Sequence, residues 1–369
     1  MIDQQSISRR LRVYTCHIQP VVVIERELVG HQDTMGVVES TMLAVAIPST
    51  MALIYSWISF PSHLMIKLDG ATSLTDVIKA YVRLLIKVPS SLPAAKLVEN
   101  FPVIEIQAPV VGETSHLDNY IKELNGRSDL MSDEILPPFY LNALTGGLQL
   151  LVMSHPLFPI RLLGAVNISN KVTIHVPVKK QWLKDGELTA TSRCGEACLV
   201  RQGIEFDVVT NVYRKDTLVW TMVFRSLAFV KNTGAPSSVR EKHEIDPDQV
   251  KSFVFNLTQN AGRIYAKIGY DINPIHVSDL SAKLFGFPRA LAHGVWVVAQ
   301  AEAHSERNDI IDRDSPQVIH TVFKKPTFLP ANVCVKVQKR DDGSYFTVET
   351  VDKERATIVI EGSSLQIEK

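Results

Sequence analysis

The sequence predicts an α+β protein of two similar halves, each a sheet of antiparallel strands folded around a central helix. Three observations lead there. Two segments, "LPPFYLNALTGGLQLLVMSHPLFP" from Leu136 and "RALAHGVWVVAQAEAHS" from Arg289, have helical length and are apolar nearly all round. Each is followed by a series of alternating or β-branched runs of strand length. A helix that is apolar on every side must be covered on most sides, and a curved sheet of those strands does that.

Taken in order, residues 1–70 read as a region of their own. The first apolar run, "VVVI" at Val21, is broken at once by Glu25, Arg26 and Glu27, so no secretory leader is expected. Met42 to Phe60 carries no charge and is almost long enough to cross a bilayer, but Pro48 and several hydroxyl residues interrupt it. A buried helix or a subunit contact is expected there, with membrane association through residues 42–60 as the alternative and a cytoplasmic location for the whole. "TSLTDVIKAYVRLLIK" has a start signal at Thr72 or Ser73. Its apolar residues Leu74, Val77, Ile78, Tyr81, Leu84 and Leu85 share one helical face. The prolines of "VPSSLPAA" end it. "PVIEIQAPVV" reads as extended, and "HLDNYIKELNG" as a short helix closed by Gly126.

After the first apolar helix come the strands "NKVTIHVPVKK", "ELTATSRC", "GIEFDVVTNVYRK" and "TLVWTMVFRSLAFVK". "NTGAPSSVREKHEIDPDQ" reads as a linker. The second half repeats the theme with "KSFVFNLTQ", the second apolar helix, then "SPQVIHTVFKK", "NVCVKVQKR", "YFTVETVD" and "ATIVIEG". The expected divisions are 1–70, 71–235 and 236–369.

Lysine and arginine together number 39, as do aspartate and glutamate, which argues against non-specific nucleic-acid binding. The four cysteines are sparse, as in a reducing compartment. Cys194 and Cys198 have a metal-ligand spacing, but no second Cys or His pair follows, so core or surface thiols are expected and no metal. Gly-rich phosphate loops and Gly-x-Ser-x-Gly elbows are missing from the sequence.

The chemistry concentrates in "YDINPIHVSDLSAKLFGFPRALAHG", from Tyr270. Asp271 and His276 are the residue types that hold a water and move protons near neutral pH. Pro274 restrains the turn and keeps Asn273 out of helical geometry, and Asn273 can fix the turn through its amide. Gly294 leaves room for a ligand, and its N–H lies at the start of a helix, where developing negative charge is stabilised. His293 divides between packing at the helix start and ligand contact.

The longer stretch "GRIYAKIGYDINPIHVSDLSAKLFGFPRALAHGVW" resembles the signature of the MaoC-like family, the (R)-specific enoyl-CoA hydratases and acyl dehydratases. Asp271, Asn273, Pro274, Ile275, His276, Ala282, Gly286, Phe287, Ala292, His293 and Gly294 all fall in the register of that pattern. "LPPFYLNALTGGLQLLVMSHPLFPIRLLGAVNISNKVTI" resembles the first half of two-repeat members, so the likeness covers roughly residues 70–369. The family usually carries Ser-Gly before the aspartate, where this chain has Gly269 and Tyr270; that departure bears on substrate size.

The resemblance implies a double hot dog, with catalytic residues in the C-terminal repeat and an N-terminal repeat that makes room for the acyl tail. It implies reversible hydration of trans-2-enoyl thioesters to (R)-3-hydroxyacyl thioesters. No cofactor is implied beyond the coenzyme A or acyl carrier protein that is part of the substrate. Asp271 and His276 would activate water, Asn273 would support them, and the Gly294 N–H would receive the oxyanion. A homodimer is left open. The competing readings are a hot-dog thioesterase, because one fold hosts several chemistries, and a non-catalytic acyl-carrier or assembly module.

Overall fold

The computed structural model describes residues 11–16, 19–26, 63–87, 90, 92–124, 133–162, 164–238, 245–306, 309–352 and 355–367. The uncharged stretch 42–60 and Gly126 lie outside these residues. The chain opens with strands β1 (Leu11–Cys16), β2 (Gln19–Arg26) and β3 (His63–Leu68), then helices α1 (Leu74–Ile86) and α2 (Ala94–Glu99). Next come β4 (Val103–Pro109), α3 (Thr114–Glu123), α4 (Tyr140–Ser154), β5 (Val166–Ile174), α5 (Lys180–Lys184), β6 (Leu188–Val200), β7 (Gly203–Arg214) and β8 (Thr217–Phe229). The second half holds β9 (Lys251–Leu257), α6 (Ala261–Ile268), α7 (Pro274–Val277), α8 (Asp279–Leu284), α9 (Gly294–His304), β10 (Gln317–Phe323), β11 (Ala331–Arg340), β12 (Gly343–Asp352) and β13 (Arg355–Gln366).

The strands form one sheet in the order β1-β2-β3-β4-β6-β7-β8-β5-β10-β13-β12-β11-β9. From β4 to β9 the order is a palindrome of equivalent strands: β4 answers β9, β6 answers β11, β7 answers β12, β8 answers β13, and β5 meets β10 at the centre. At that seam Gln317 pairs with Ile174 and Val322 with Ser169 in antiparallel register. Each half-sheet wraps one helix, α4 or α9, so the double hot dog expected from the sequence is the observed architecture. Both helices are buried along most of their length; in α9 every residue from Trp296 to Ala303 is buried. Continuous burial explains why neither shows an apolar stripe.

One edge departs from the expected antiparallel sheet. β2 pairs with β3, and β3 with β4, in parallel. Parallel neighbours need a crossover, and α1 and α2 supply the one between β3 and β4. Ser73 starts α1 as a capping box: its Oγ accepts from the Asp76 N–H at 3.2 Å, and its own N–H donates to Asp76 Oδ2 at 3.1 Å. The crossover helix packs Val77 and Ala80 against Leu150 of α4, with Tyr81, Leu84, Leu151, Tyr270 and Ile272 around them. It thereby reaches the turn that carries Asp271. Among the described residues no helix is long and apolar enough to cross a membrane.

Candidate active site

The turn after α6 is built by local rules. Gly269 closes α6 by donating its N–H to the Tyr265 carbonyl at 2.7 Å. Tyr270 then takes φ +52°, the left-handed region that favours glycine. This gives a physical meaning to the unusual tyrosine, since the resembling family has glycine there. The ring is retained by contacts, stacking on His116 at 6.4 Å between centroids. Asn273 is extended (φ −54°, ψ 122°), as the following proline requires, and its side chain caps α7 by accepting from the Ile275 N–H. The Asn273 N–H donates to Asp271 Oδ1 at 3.2 Å.

The imidazoles come to the same place. His276 Nδ1 lies 2.9 Å from the Leu291 carbonyl, and the Leu291 N–H donates to the Ile275 carbonyl at 3.1 Å. A carbonyl only accepts, so Nδ1 of His276 carries the proton and Nε2 keeps its lone pair. His293 has the opposite tautomer: its Nε2 donates to the Asp271 carbonyl at 3.1 Å and lies 3.5 Å from Asp271 Oδ2. Its Nδ1 is buried without a partner. The two rings lie 3.7 Å apart. Close approach of α6 makes this packing feasible, since any side chain at Gly262 would collide with the His276 carbonyl.

Electrostatics follow from burial. Desolvation lowers the His276 pKa against the opposing pull of Asp271. His293 falls to about 3, chiefly by burial and then by the neighbouring His276. Burial acts on Asp271 in the other sense, but His293, His276, the Tyr81 hydroxyl and the Asn273 N–H outweigh it, so its carboxyl lies below the usual range. Asp271 is half-buried, and 42% of its side chain remains open to solvent. At neutral pH the cluster is therefore one accessible carboxylate beside two neutral imidazoles. The carboxylate and the His276 lone pair can together hold a water by its two hydrogens.

Gly294 differs from the expectation that it leaves room for a ligand. A side chain there would strike the Phe323 ring, so the space is filled by packing from β10. Its N–H still opens α9, in the first turn, where helical N–H groups have no partner inside the helix. His293 occupies the N-cap position without a side-chain cap bond and is buried in the cluster.

Three further residues belong to the surroundings. Tyr81 of α1 donates to Asp271 Oδ1 at 2.6 Å. Tyr265 packs its ring 4.8 Å from His293, and its hydroxyl accepts from Asn142 of α4 at 2.9 Å. Asn142 was missed in the sequence, although an amide inside an apolar helix must find a partner when buried and so carries a signal. Tyr81 was read only as part of an apolar face.

Asp271, His276 and His293 offer ligand atoms within 4.8 Å of one another, a donor set able to hold a divalent cation as well as a water. Cys194 and Cys198 lie on β6, the first buried with its thiol pushed up to about 11, the second exposed; they join no such cluster among the described residues.

A family description, "MaoC like domain", matches residues 239–362, which include every residue of this turn. The 3-hydroxyacyl-thioester dehydratase X of Mycobacterium tuberculosis is 31% identical over 199 residues, covering 53% of this chain and 67% of that protein. This chain belongs to the MaoC-like dehydratase family. As a MaoC-like dehydratase it is a hydro-lyase. Crystal structures agree on the fold. HtdX of M. tuberculosis superposes with a TM-score of 0.55 at 22% identity, covering 71% of this chain and 99% of that one. A MaoC-like dehydratase from Phytophthora capsici gives 0.56 at 15% identity, covering 75% and 98%.

Proposed function

We propose that this MaoC-like dehydratase interconverts trans-2-enoyl and (R)-3-hydroxyacyl thioesters of coenzyme A or acyl carrier protein. The observation that carries the reading is the placement of a solvent-reachable carboxylate, Asp271, beside the lone-pair Nε2 of a neutral His276 on one capped turn. The substrate class is supported by the M. tuberculosis relative, named a 3-hydroxyacyl-thioester dehydratase.

In the hydration direction Asp271 and His276 hold the water with its hydrogens inward and its oxygen toward carbon three. As the carbon–oxygen bond forms, one of the pair takes a proton from the water. The electron pair of the double bond moves toward the thioester carbonyl, and the N–H of Gly294 receives that negative oxygen. Carbon two then takes a proton from the pair, which returns to its starting state. Asn273 keeps the turn in shape through its cap and its N–H to Asp271. The chemistry asks for no cofactor.

The acyl tail would leave the site past Tyr270 and Ile272, the half-buried edge of the cluster on which α1 is seated. The first half of the chain carries no Asp-x-Asn-Pro-x-His turn of its own and is free to make room for the tail, so medium or long acyl chains should be accepted. Crotonyl- and decenoyl-CoA test the reading. Loss of the enoyl absorbance without release of free thiol is the expected result, faster on ten carbons than on four. Thiol release would favour a thioesterase instead.

A further inference from the structure

We propose that Tyr81 is a positioning residue for Asp271, supplied by the crossover helix between β3 and β4, which completes the catalytic turn. The role rests on the hydration reading given above. Tyr81 lies on α1, the crossover between β3 and β4, whereas Asp271 lies between α6 and α7. Its hydroxyl donates to Asp271 Oδ1 at 2.6 Å, the short distance of a bond to an ionised acceptor.

The second donor on that oxygen is the Asn273 N–H at 3.2 Å. Two donors from different directions fix the rotation of the carboxyl plane. Oδ2 is then the oxygen left to take a hydrogen from water, 3.5 Å from Nε2 of His293. Without the phenol the carboxyl could turn about its bond, and the water would lose its aim at carbon three.

The seat of α1 does not depend on this bond. Val77 and Ala80 pack against Leu150, with Leu84, Leu151, Tyr270 and Ile272 adjoining. An apolar residue at 81 would satisfy that cluster. The hydroxyl adds direction, and its single hydrogen goes to the group the chemistry uses. Burial, then the adjacent carboxylate, keep the phenol protonated far above neutral pH, so it remains a donor throughout the working range. The apolar face of α1 thus also carries a polar contact into the site.

The test is Tyr81→Phe in the full chain, which keeps the ring and removes only the hydroxyl. Three quantities are compared with wild type: the titration midpoint of the Asp271 carboxyl by carbon-13 NMR, assigned against Asp271→Asn; the pH profile of kcat and KM; and the thermal midpoint. The hydroxyl helps to hold the Asp271 pKa down, so its loss raises that midpoint and changes the acidic limb of kcat, to which Asp271 and His276 both contribute. kcat should fall about ten- to a hundredfold, the range seen when a group that orients a reacting ligand is removed, with KM and thermal midpoint little changed. An unchanged Asp271 midpoint overturns the assignment, whatever the rate does. So does a lowered thermal midpoint with normal kcat and an unmoved profile, which is the signature of packing alone. If wild type itself fails to hydrate enoyl thioesters, the hydration reading falls, and the Asp271 titration still decides whether Tyr81 controls that carboxylate.

Discussion

Replacing Asp271 by asparagine should slow turnover by orders of magnitude and leave the fold almost untouched. Oδ1 of Asp271 accepts from the Tyr81 hydroxyl at 2.6 Å and from the Asn273 N–H at 3.2 Å. An asparagine carbonyl can accept both. The other oxygen becomes an NH2 group 3.5 Å from the N–H of His293, a donor facing a donor. With 42% of the side chain open to solvent, water can take up the amide hydrogens. Removing the negative charge also removes the pull that favours protonated His276 and His293, so both rings stay neutral. The stability change is then the difference between charged and neutral hydrogen bonds, about 1 kcal/mol. The rate loss is of another order. An amide cannot accept the proton from water, and a general acid–base group contributes about a hundredfold to ten-thousandfold. Because Asp271 and His276 act on one water, Asp271→Asn with His276→Ala should be little slower than either alone. Enoyl-CoA hydration and thermal midpoints on the two single variants and the double measure this. Near-normal rates with a clearly lowered midpoint would refute the catalytic assignment.

Three more outcomes follow from the geometry. Tyr270→Gly should relieve left-handed strain of about 1–2 kcal/mol while losing the stack on His116. The midpoint should therefore move little, and relative rates should shift toward bulkier acyl chains; an unchanged chain-length profile contradicts the role given to this ring. Arg313→Ala should cost about 3–5 kcal/mol in denaturant unfolding, because Arg313 and its partner Glu302 on α9 are both buried and the glutamate would be stranded; a loss under 1 kcal/mol counts against that pairing. The acidic half-loss of kcat/KM should fall below pH 6.5, the ordinary histidine value, since burial lowers the His276 pKa and so delays protonation of Nε2. A half-loss of kcat/KM at or above pH 6.5 would show an ordinary histidine.

The parts of the fold that showed in the sequence are those set by local pattern. α4 and α9 stood out because continuous burial leaves an unbroken apolar run, and the β-branched segments after them could only be the sheet that covers them. The turn at Asp271 was legible because proline, cap and helix start are consecutive in the chain. The parallel edge was not, because the pairing of β3 with β4 spans the whole α1–α2 crossover and leaves no short-range signature. Tyr81 was hidden for a related reason. Its ring satisfies the apolar face of α1, and its hydroxyl acts across 190 residues of sequence. Gly294 could be read as space for a ligand or as close packing, and only the position of Phe323 decides between them.

The central claim is that Asp271 and His276 add water to an enoyl thioester from one face. The most direct measurement incubates the full chain with trans-2-decenoyl-CoA and separates the product enantiomers, with Asp271→Asn in parallel. The expected product is (R)-3-hydroxydecanoyl-CoA without free coenzyme A, formed about a hundredfold to ten-thousandfold more slowly by the variant. The (S) enantiomer, free coenzyme A, or product from the variant at the wild-type rate would contradict it.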